Sequence, residues 1–307
     1  MTRTVLVTGA RGFIGAAVVQ RLAGMPGTQV VALSRSAPED RVDPRIHRVA
    51  GNLEDLAPSR WRSIGTTTFD AVIHLAAFTP KSAAMRDDAS GIIAANIIGL
   101  QALLTSFPNP PGRFIFCSTL DVYSRTAFDH VVDERSPVGP TGLYGLSKLL
   151  GEGLVEAYSR STGTECLTLR LGHIHGPGEE RYAKLVPETI RRVLAGEPPR
   201  IAGDGSERRD LLYIDDAAEA IVRSCTRALN GTRVINLARG TSHSLHEIVD
   251  TIVAVAGYRG VVERLPRPAD AYSTRFDTSL MKRVLGDWPF VSLTDGLTRQ
   301  IAHCRHE

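Results

Sequence analysis

The stretch that decides the fold is Thr8-Gly9-Ala10-Arg11-Gly12-Phe13-Ile14-Gly15. It lies between an apolar run, Thr4–Val7, that predicts a strand and a periodic pattern, Phe13–Leu22, that predicts a helix. Glycine has no Cβ, so the backbone of such a loop can approach an anion at a helix N-terminus. A plain glycine-rich turn is the alternative, but the strand–loop–helix order favours a loop that holds the pyrophosphate of a dinucleotide. The predicted cofactor contacts in this loop are Gly9, Arg11, Gly12, Phe13, Ile14 and Gly15.

Short apolar runs and helical patterns alternate through the first half of the chain. The runs are mostly apolar rather than alternating, as in strands that are covered by helices on both faces of a sheet. This alternation predicts right-handed crossovers and an α/β fold with a Rossmann-like, doubly wound parallel sheet. The other predicted strands are Val30–Leu33, Ala71–Leu75, Phe114–Cys117 and Cys166–Leu171, and the helices between them are Ile92–Phe107 and Tyr144–Ser161.

Glycine and proline interrupt this pattern in the second half, first at Gly176-Pro177-Gly178. Ser244, with Glu247 three residues later, forms a capping-box pattern that predicts a helix start. We predict a dinucleotide-binding domain at 1–171 and a smaller, mixed substrate-binding domain at 172–307, from which a segment at about 211–240 returns to the first domain. The predicted helices of this half are Ala183–Ala195, Asp215–Ala228 and Ser244–Ala256.

Composition excludes several classes of protein. The chain has 307 residues, 43% hydrophobic and 22% charged, so it can bury a core and is not disordered. Its 36 basic and 33 acidic residues give a net charge of +3 without a long basic run, which argues against a nucleic-acid partner. We expect no membrane span, because no stretch looks apolar over about 18 residues. The scattered cysteines predict free thiols in a cytoplasmic protein that holds no metal; they are Cys117, Cys166, Cys225 and Cys304.

The residues about twenty positions after the glycine loop indicate which dinucleotide binds. An NAD site of this type carries an acid there for the adenosine ribose, whereas this chain has Ser34-Arg35-Ser36 and its first acid is Glu39. The guanidinium of Arg35 suits a 2′-phosphate, although a solvated arginine is the alternative. The sequence therefore favours NADP over NAD, with Ser34 and Arg35 as cofactor contacts.

A tyrosine and a lysine carry the catalytic prediction. Tyr144 and Lys148 share one face of a predicted helix, and Pro137–Gly142 places Tyr144 in its first turn. A nearby cation and a helix N-terminus favour a phenolate, so we expect the pKa of Tyr144 to fall below its usual value of about 10. The same spacing also arises by chance on surface helices. Thr119 adds support, because it ends a predicted strand and ligands bind at the carboxyl ends of parallel strands.

With these motifs in order, the chain resembles the extended short-chain dehydrogenase/reductase family, the sugar-nucleotide epimerase/dehydratase group. Each motif is common alone, but their order and spacing together are specific. The residues that carry the resemblance are Thr8–Gly15, His74-Leu75-Ala76-Ala77, Asn96 with Gly99, Ser118-Thr119, Val122-Tyr123, Tyr144–Lys148, Gly176-Pro177-Gly178, Gly203-Asp204-Gly205, Arg209–Asp216, Arg267-Pro268-Ala269-Asp270 and Asp277-Thr278-Ser279.

The resemblance implies a role for each matching residue. Tyr144 would be the acid/base, Lys148 would hold the nicotinamide ribose, and Thr119 would take the place of the catalytic Ser/Thr and contact the substrate. Leu75, Ala76 and Ala77 would line the cofactor pocket. Arg209 and Arg267 would meet the diphosphate of the substrate, which suits the bidentate geometry of a guanidinium. Surface arginine is the alternative for both, most of all for Arg267.

Several departures from the family pattern bear on the reaction. Leu120 follows the catalytic Thr119, and a leucine cannot protonate a leaving hydroxyl, so a 4,6-dehydratase is not expected. Asp121 is a second acid or the cap of a turn. Asn52, with Leu53, stands where relatives carry an acid, and we keep both as cofactor contacts. His173 replaces a frequent asparagine, as a substrate contact or a packed core histidine.

The predicted function is an NAD(P)-dependent oxidoreductase or isomerase of a nucleotide-linked sugar, either an epimerase or a 4-ketoreductase. A reductase of a non-sugar carbonyl and a cofactor-binding regulator without catalysis are the alternatives. Arg209 argues against the first, and the retained Tyr144 and Lys148 argue against the second. The resemblance also implies a homodimer that packs two helices of each subunit into a four-helix bundle, and the apolar character of Ile92–Phe107 agrees with that.

Overall fold

A computed structural model describes residues 2–36, 43–82, 85–86, 88–269 and 271–306. Glu39 and Asp270, which the sequence patterns include, lie outside the described residues. The strands are β1 (Arg3–Thr8), β2 (Thr28–Ser34), β3 (Ile46–Ala50), β4 (Ala71–His74), β5 (Arg113–Thr119), β6 (Glu165–Leu171), β7 (His173–His175), β8 (Arg200–Ala202), β9 (Arg208–Tyr213), β10 (Val234–Leu237), β11 (Ser242–Ser244) and β12 (Glu263–Leu265).

The helices are α1 (Phe13–Ala23), α2 (Pro58–Ser63), α3 (Ala89–Ile93), α4 (Gly99–Ser106), α5 (Leu143–Thr162), α6 (Leu185–Leu194), α7 (Ile214–Ser224), α8 (Leu245–Ala256), α9 (Ser279–Leu285) and α10 (Leu293–Cys304). Each predicted helix is present, with its ends within a few residues of the predicted ones, whereas α2, α9 and α10 were not predicted. A π-helical segment, Ala94–Ile98, joins α3 to α4. The capping box of α8 is present, since Ser244 accepts from the amide of Glu247 and Glu247 accepts from the amide of Ser244.

Seven strands form one parallel sheet in the order β10-β6-β5-β4-β1-β2-β3. The predicted doubly wound α/β fold is therefore confirmed. Strand order reverses between β1 and β4, which are hydrogen-bonded neighbours with Thr8 opposite His74. After β1 and after β4 the polypeptide continues on opposite faces of the sheet, so a crevice opens at the carboxyl ends of these two strands. Ligands of doubly wound sheets bind in such a crevice.

Both faces of this sheet are covered, as the uniformly apolar strands predict. On β1, Val5 and Val7 pack in a core cluster with α1 and α7, whereas Leu6 packs on the other face. Phe114 and Phe116 of β5 join Leu6 in that second cluster, beneath α4 and α5. Alternate side chains of one strand thus enter two cores, which explains why no polar position interrupts it.

The second half of the chain forms smaller sheets beside this one. A three-stranded mixed sheet has the order β11-β9-β7, and β8 pairs with β12. Helices α6, α8 and α10 pack together around Ile190, Ile248 and Leu297. The chain also returns to the large sheet, because β10 pairs with β6 and α7 packs on α1. The boundary at 171/172 remains a prediction.

The sequence analysis expected no apolar stretch long enough to span a membrane, but the helical segment Ala89–Ser106 is one. It is 18 residues long with a mean hydropathy of 1.5, so by length and composition alone it is apolar enough to span a membrane. Length and apolar composition alone are weak evidence for a membrane span, because buried helices of globular proteins share both properties. The helix packs against α5, and it carries a buried Asn96 whose amide is hydrogen-bonded inside the protein. These contacts agree with a helix of a globular fold.

Candidate active site

The glycine loop is built so that only glycine fits at two of its positions. Gly9 has φ +68°, and a Cβ there would lie 2.7 Å from the amide nitrogen of Ala76. A Cβ on Gly15 would collide with the carbonyl oxygen of Gly9. Gly12 is the N-cap of α1, and the first turn of that helix contains no acidic residue. The N-terminus of α1 therefore faces the crevice, and no acidic side chain of its first turn compensates the positive end of the helix dipole. Such an N-terminus suits the pyrophosphate of a dinucleotide.

The end of β2 carries the residues expected near the adenosine ribose. Ser34 is half-buried and its hydroxyl donates to the carbonyl of Ser36, 2.8 Å away, whereas Arg35 is exposed. Arg11 of the glycine loop donates to the Ser36 hydroxyl at 2.8 Å. The loop and the end of β2 therefore meet, and they place two arginines, Arg11 and Arg35, at this corner of the crevice.

The other expected cofactor contacts lie along the same crevice. Leu75, Ala76 and Ala77 follow β4 and are half-buried, directly beside Gly9. Asn52 is exposed after β3, and its side-chain amide donates to Asp55 at 3.2 Å. Leu53 packs on Gly99, where a Cβ would lie only 2.9 Å from the Leu53 Cβ.

Thr8 and His74 join the carboxyl ends of β1 and β4, the two strands between which the strand order reverses. No sequence motif indicated the contact between these two side chains. Thr8 and His74 are buried, with 2.8 Å between the Thr8 hydroxyl and Nδ1 of His74. The Thr8 hydroxyl also accepts from the amide of Ala76 at 3.2 Å. Burial, and then the charge of Lys148, lower the pKa of His74 to about 3, so its ring is neutral and Nδ1 can accept from Thr8.

Thr119, Tyr144 and Lys148 lie together at the carboxyl edge of the sheet. Thr119 ends β5, and its hydroxyl accepts from the amide of Asp121 at 3.3 Å. Tyr144 is the second residue of α5, in the first turn as predicted, and it lies near Thr119 and Thr79, which both act to lower its pKa. Lys148 lies one turn further along α5 and is buried. The structure therefore brings the predicted catalytic residues to one cleft.

The expected direction of the Tyr144 shift is wrong for this structure. Burial, and then the carboxylate of Asp121, raise the pKa of Tyr144 above its usual value, while the hydroxyl groups of Thr79 and Thr119 act in the other direction. Removing a phenol from water disfavours its phenolate, and a nearby negative charge disfavours it further. Without another cation in the cleft, Tyr144 is a proton donor rather than a phenolate.

Lys148 has an apolar environment. Its ammonium lies 4.3 Å from the ring centroid of Phe116, a cation–π contact that compensates part of the lost hydration. Burial lowers the pKa of Lys148 to about 8, while Cys117 and Glu152 act in the opposite direction. A buried ammonium of this kind is available to hydroxyl groups of a ligand.

Asn96 joins the loop after β4 to α5, the helix that carries Tyr144 and Lys148. Its side chain accepts from the amide of Phe78 at 2.7 Å and donates to the hydroxyl of Ser147 at 2.9 Å. Ser147 in turn donates to the carbonyl of Tyr144 at 2.7 Å. The π-helical segment places Asn96 there, as single-turn π segments often do at functional sites. The Asn96–Gly99 motif pointed to this region but not to these contacts.

A buried ion pair lies behind the predicted catalytic residues. Arg170 of β6 donates to both carboxylate oxygens of Glu152, at 3.1 and 2.8 Å, and both side chains are about nine-tenths buried. Glu152 also accepts from the hydroxyl of Ser118 at 2.6 Å. The cluster ties α5 to the ends of β5 and β6, and no sequence motif indicated it.

The expected substrate contacts lie in three different environments. His173 begins β7 with Nε2 buried and without a hydrogen-bond partner among the described residues. Burial, and then Arg209 and Lys184, lower the pKa of His173 to about 3, so it offers a neutral ring. Arg209 donates to the carbonyl oxygens of Arg208 and Tyr272. Arg267 donates to the buried Glu207 at 2.7 Å, with its own side chain 60% exposed.

Fold and site together define a class, that of the extended short-chain dehydrogenase/reductases. The chain belongs to the NAD dependent epimerase/dehydratase family, whose profile matches residues 5–238. It is 32% identical to a dTDP-glucose 4,6-dehydratase of Streptomyces griseus, over 98% of this chain and 94% of the relative. It is 30% identical to a dTDP-4-dehydro-6-deoxy-D-allose reductase of Streptomyces bikiniensis, over 99% and 97%.

A solved structure agrees with these sequence relatives. UDP-glucuronic acid 4-epimerase from Bacillus cereus, in complex with UDP-glucuronic acid and NAD, superposes with a TM-score of 0.86 at 26% identity. The match covers 99% of both chains. Relatives and solved structures are thus epimerases, dehydratases and reductases of sugar nucleotides, and the resemblance seen in the sequence motifs is confirmed.

Proposed function

We propose that this protein oxidises or reduces a nucleotide-linked sugar with NAD(P), and that Tyr144 moves the proton. What supports the proposal is that Tyr144 lies near Thr119 at the carboxyl end of β5, in the same parallel sheet whose strand β1 leads into a glycine loop where Gly9 leaves no room for a Cβ. The relatives supply the substrate class, because their substrates are sugars linked to UDP or dTDP.

The residues at the crevice fit a dinucleotide. Gly9 and Gly12 would bring backbone amides to its pyrophosphate, and Lys148 would hold the ribose hydroxyls of the nicotinamide half. When bound, the nicotinamide supplies the acceptor or donor of a hydride. The oxidised ring is cationic, so its presence would lower the pKa of Tyr144 from the raised value that burial causes.

Tyr144 and Thr119 would act on one oxygen of the sugar. The Thr119 hydroxyl orients that oxygen by a hydrogen bond, and Tyr144 takes its proton during oxidation or returns it during reduction. The neutral ring of His173 can donate to or accept from an uncharged group of the substrate. Binding of the distant nucleotide would position the reacting carbon.

Epimerase and 4-ketoreductase remain the two candidates within this function. An epimerase oxidises and re-reduces the same sugar, so it consumes no cofactor. A ketoreductase consumes NADPH in proportion to product. Leu120 is buried in an apolar cluster beside Thr119, so it offers no acid for the loss of a hydroxyl group, and we propose that the chain does not catalyse 4,6-dehydration.

A substrate panel tests the proposal. UDP-glucose, UDP-glucuronic acid and a dTDP-4-keto-6-deoxy sugar are each incubated with the protein and either NAD or NADPH. Interconversion of sugars without net cofactor change indicates an epimerase, and stoichiometric loss of absorbance at the NADPH band indicates a ketoreductase. No turnover of any nucleotide sugar, by a protein that binds the cofactor, would contradict the proposal.

We propose NADP as the preferred cofactor, although the family is NAD-dependent and NAD is bound in the B. cereus structure. Arg11 and Arg35 lie at the end of β2, where a 2′-phosphate would need positive charge. Dissociation constants of NADPH and NADH are compared for the wild type and Arg35→Ala. We expect the substitution to weaken NADPH binding alone, by about tenfold, the loss of one charge-assisted hydrogen bond. Tighter NADH binding by the wild type would contradict the preference.

We further propose that the protein is a homodimer in which the 89–106 segment and α5 of each subunit form a four-helix bundle. These two helices pack side by side and expose large apolar side chains. Exposed apolar patches of this kind are typical of protein interfaces. The exposed residues are Ile93, Ile98, Leu146 and Leu150.

A further inference from the structure

The segment 179–184, called the strap below, connects the two sides of the crevice between β1 and β4. On one side, Tyr182 packs on Phe13, the first residue of α1, with 6.3 Å between the ring centroids. On the other side, the amide of Ala183 donates to the carbonyl of Lys81, in the loop that follows β4, at 3.0 Å. A segment that contacts the elements after both strands covers the crevice in which a dinucleotide would lie.

The start of the strap is fixed to α10 and β7 through a buried carboxylate. Nε2 of Gln300 donates to Oε2 of Glu179 at 3.3 Å, and both side chains are buried. The amide oxygen of Gln300 lies 3.2 Å from Nδ1 of His175, which is the donor because an amide oxygen only accepts. Glu179 therefore holds the strap against the C-terminal helix, and we call this residue the latch.

The latch carries an acid whose ionisation depends on its burial. Burial raises the pKa of Glu179 to about 7. Lys184 lies 3.4 Å from Oε1 of Glu179, but the lysine side chain is 46% exposed and compensates the burial only in part. Burial also lowers the pKa of His175 to about 4, so this ring stays neutral between pH 6 and pH 8. The titratable groups that face Glu179 are Lys184, Glu180 and Tyr182 of the strap and His175 of β7.

We propose that the strap closes over the bound dinucleotide and that the latch, Glu179, sets how fast the cofactor leaves. This inference rests on the proposed function, which supplies the dinucleotide. Two glycines precede the strap, Gly176 at φ +143° and Gly178 at φ +95°, and they provide the hinge on which it opens.

The direction of the pH dependence follows from the two environments of the latch. In the closed strap the pKa of Glu179 is about 7, whereas a glutamate in water has its ordinary value of 4.5. The closed strap therefore binds the proton more tightly than the open one. Opening becomes more favourable as the pH rises from 4.5 to 7, and this gain levels off above pH 7.

Stopped-flow release of NADPH tests the latch. Protein loaded with NADPH is mixed with excess NADP, and the fluorescence of bound NADPH reports the release rate. Between pH 6 and pH 7.5 the wild-type rate should rise about fivefold to tenfold, as a shift of the pKa from 4.5 to about 7 requires. Glu179→Gln keeps the size and the hydrogen bonds of the side chain but does not ionise. Its release rate should therefore stay within about twofold over this range.

Glu180→Gln is the matched control, because Glu180 is the next residue of the strap and is only half-buried. Its release rate should rise with pH as that of the wild type does. Titration of Lys148, whose pKa is about 8, affects both variants equally, so the difference between them isolates Glu179.

Tyr182→Ala tests the cover independently of the latch. It removes the ring that packs on Phe13, so release of NADPH at pH 6 should become about tenfold faster, because less apolar surface holds the strap closed. A wild-type release rate in Tyr182→Ala would overturn the cover.

The same rise with pH in Glu179→Gln and Glu180→Gln would overturn the latch. If Glu179→Gln binds no NADPH, the rate of Tyr182→Ala decides the inference alone. A wild type that binds neither NADPH nor NADH would overturn the proposed function together with the latch, whereas a wild type that turns over a nucleotide sugar but releases NADPH at a constant rate would overturn the latch alone.

Discussion

At the scale of single residues, the environment of Lys148 has a thermodynamic consequence. Its ammonium is buried over Phe116, and its pKa is about 8 against an ordinary value of 10.5. The unfolded chain therefore binds more protons than the folded one between pH 8 and pH 10.5. The contribution of Lys148 to the free energy of unfolding is therefore lowest below pH 8 and rises with pH between pH 8 and pH 10.5.

Replacing Lys148 with methionine isolates this effect, because methionine fills the space without a charge. Between pH 8 and pH 10 the free energy of unfolding of the wild type should rise by roughly 2 kcal/mol relative to that of Lys148→Met. Urea unfolding of both proteins without cofactor measures it, and other titrating groups cancel in the difference. Parallel pH profiles would show that Lys148 is not buried as a cation.

Residues that act through long-range contacts could not be predicted from the sequence. Tyr144, Lys148 and Thr119 could be proposed as catalytic residues because they belong to short motifs, and their roles remain predictions. The direction of the Tyr144 pKa shift was missed, because burial and the approach of Asp121 depend on tertiary packing. The Glu152–Arg170 ion pair was missed because only the fold brings these two side chains together.

At the scale of elements, the ion pair between Glu152 and Arg170 ties α5 to β6 behind the site. Removing one partner of a buried pair leaves an uncompensated charge, which costs about 3–5 kcal/mol. Glu152→Leu should lower the free energy of unfolding by about that amount. The change is measured by urea unfolding at neutral pH.

The same helix offers a matched control. Glu156 pairs with Arg160 at 2.8 Å, but both side chains are more than half exposed. Glu156→Leu should therefore change stability by less than about 1 kcal/mol. Equal effects of the two substitutions would mean that the Glu152–Arg170 pair does not hold these elements together.

The strands could be predicted from the sequence where their side chains are buried on both faces of the sheet. The middle residues of strands β1, β2, β4 and β5 are apolar, because the sheet is covered on both faces, and β6 is apolar apart from Thr168 and Arg170. Strand β3 was not among the predicted strands: His47 and Arg48 interrupt it, as an edge strand with an exposed side allows. The π-helical segment at Ala94–Ile98 was also missed, since hydrophobic periodicity does not distinguish it from an α-helix.

At the scale of the whole molecule, the proposed dimer should depend on the exposed apolar face of two helices. Ile98 and Leu150 are 51% and 54% exposed in the single chain. Substituting both with aspartate should convert the protein from a dimer to a monomer, since unpaired charges at the centre of an interface are strongly unfavourable. Sedimentation equilibrium measures the mass.

Val261→Asp serves as the control, because Val261 is 75% exposed but lies away from these helices. It should remain a dimer. A wild type that sediments with the mass of one chain would contradict the proposed assembly.

The central claim is that Tyr144 exchanges a proton with the sugar while a hydride moves at the neighbouring carbon. Its most direct test is the turnover of Tyr144→Phe with the nucleotide sugar on which the wild type is most active. We expect kcat to fall by about 10²- to 10⁴-fold, the usual contribution of a general acid–base, while the Kd of NADPH stays within about threefold. Turnover of Tyr144→Phe equal to that of the wild type would contradict the account.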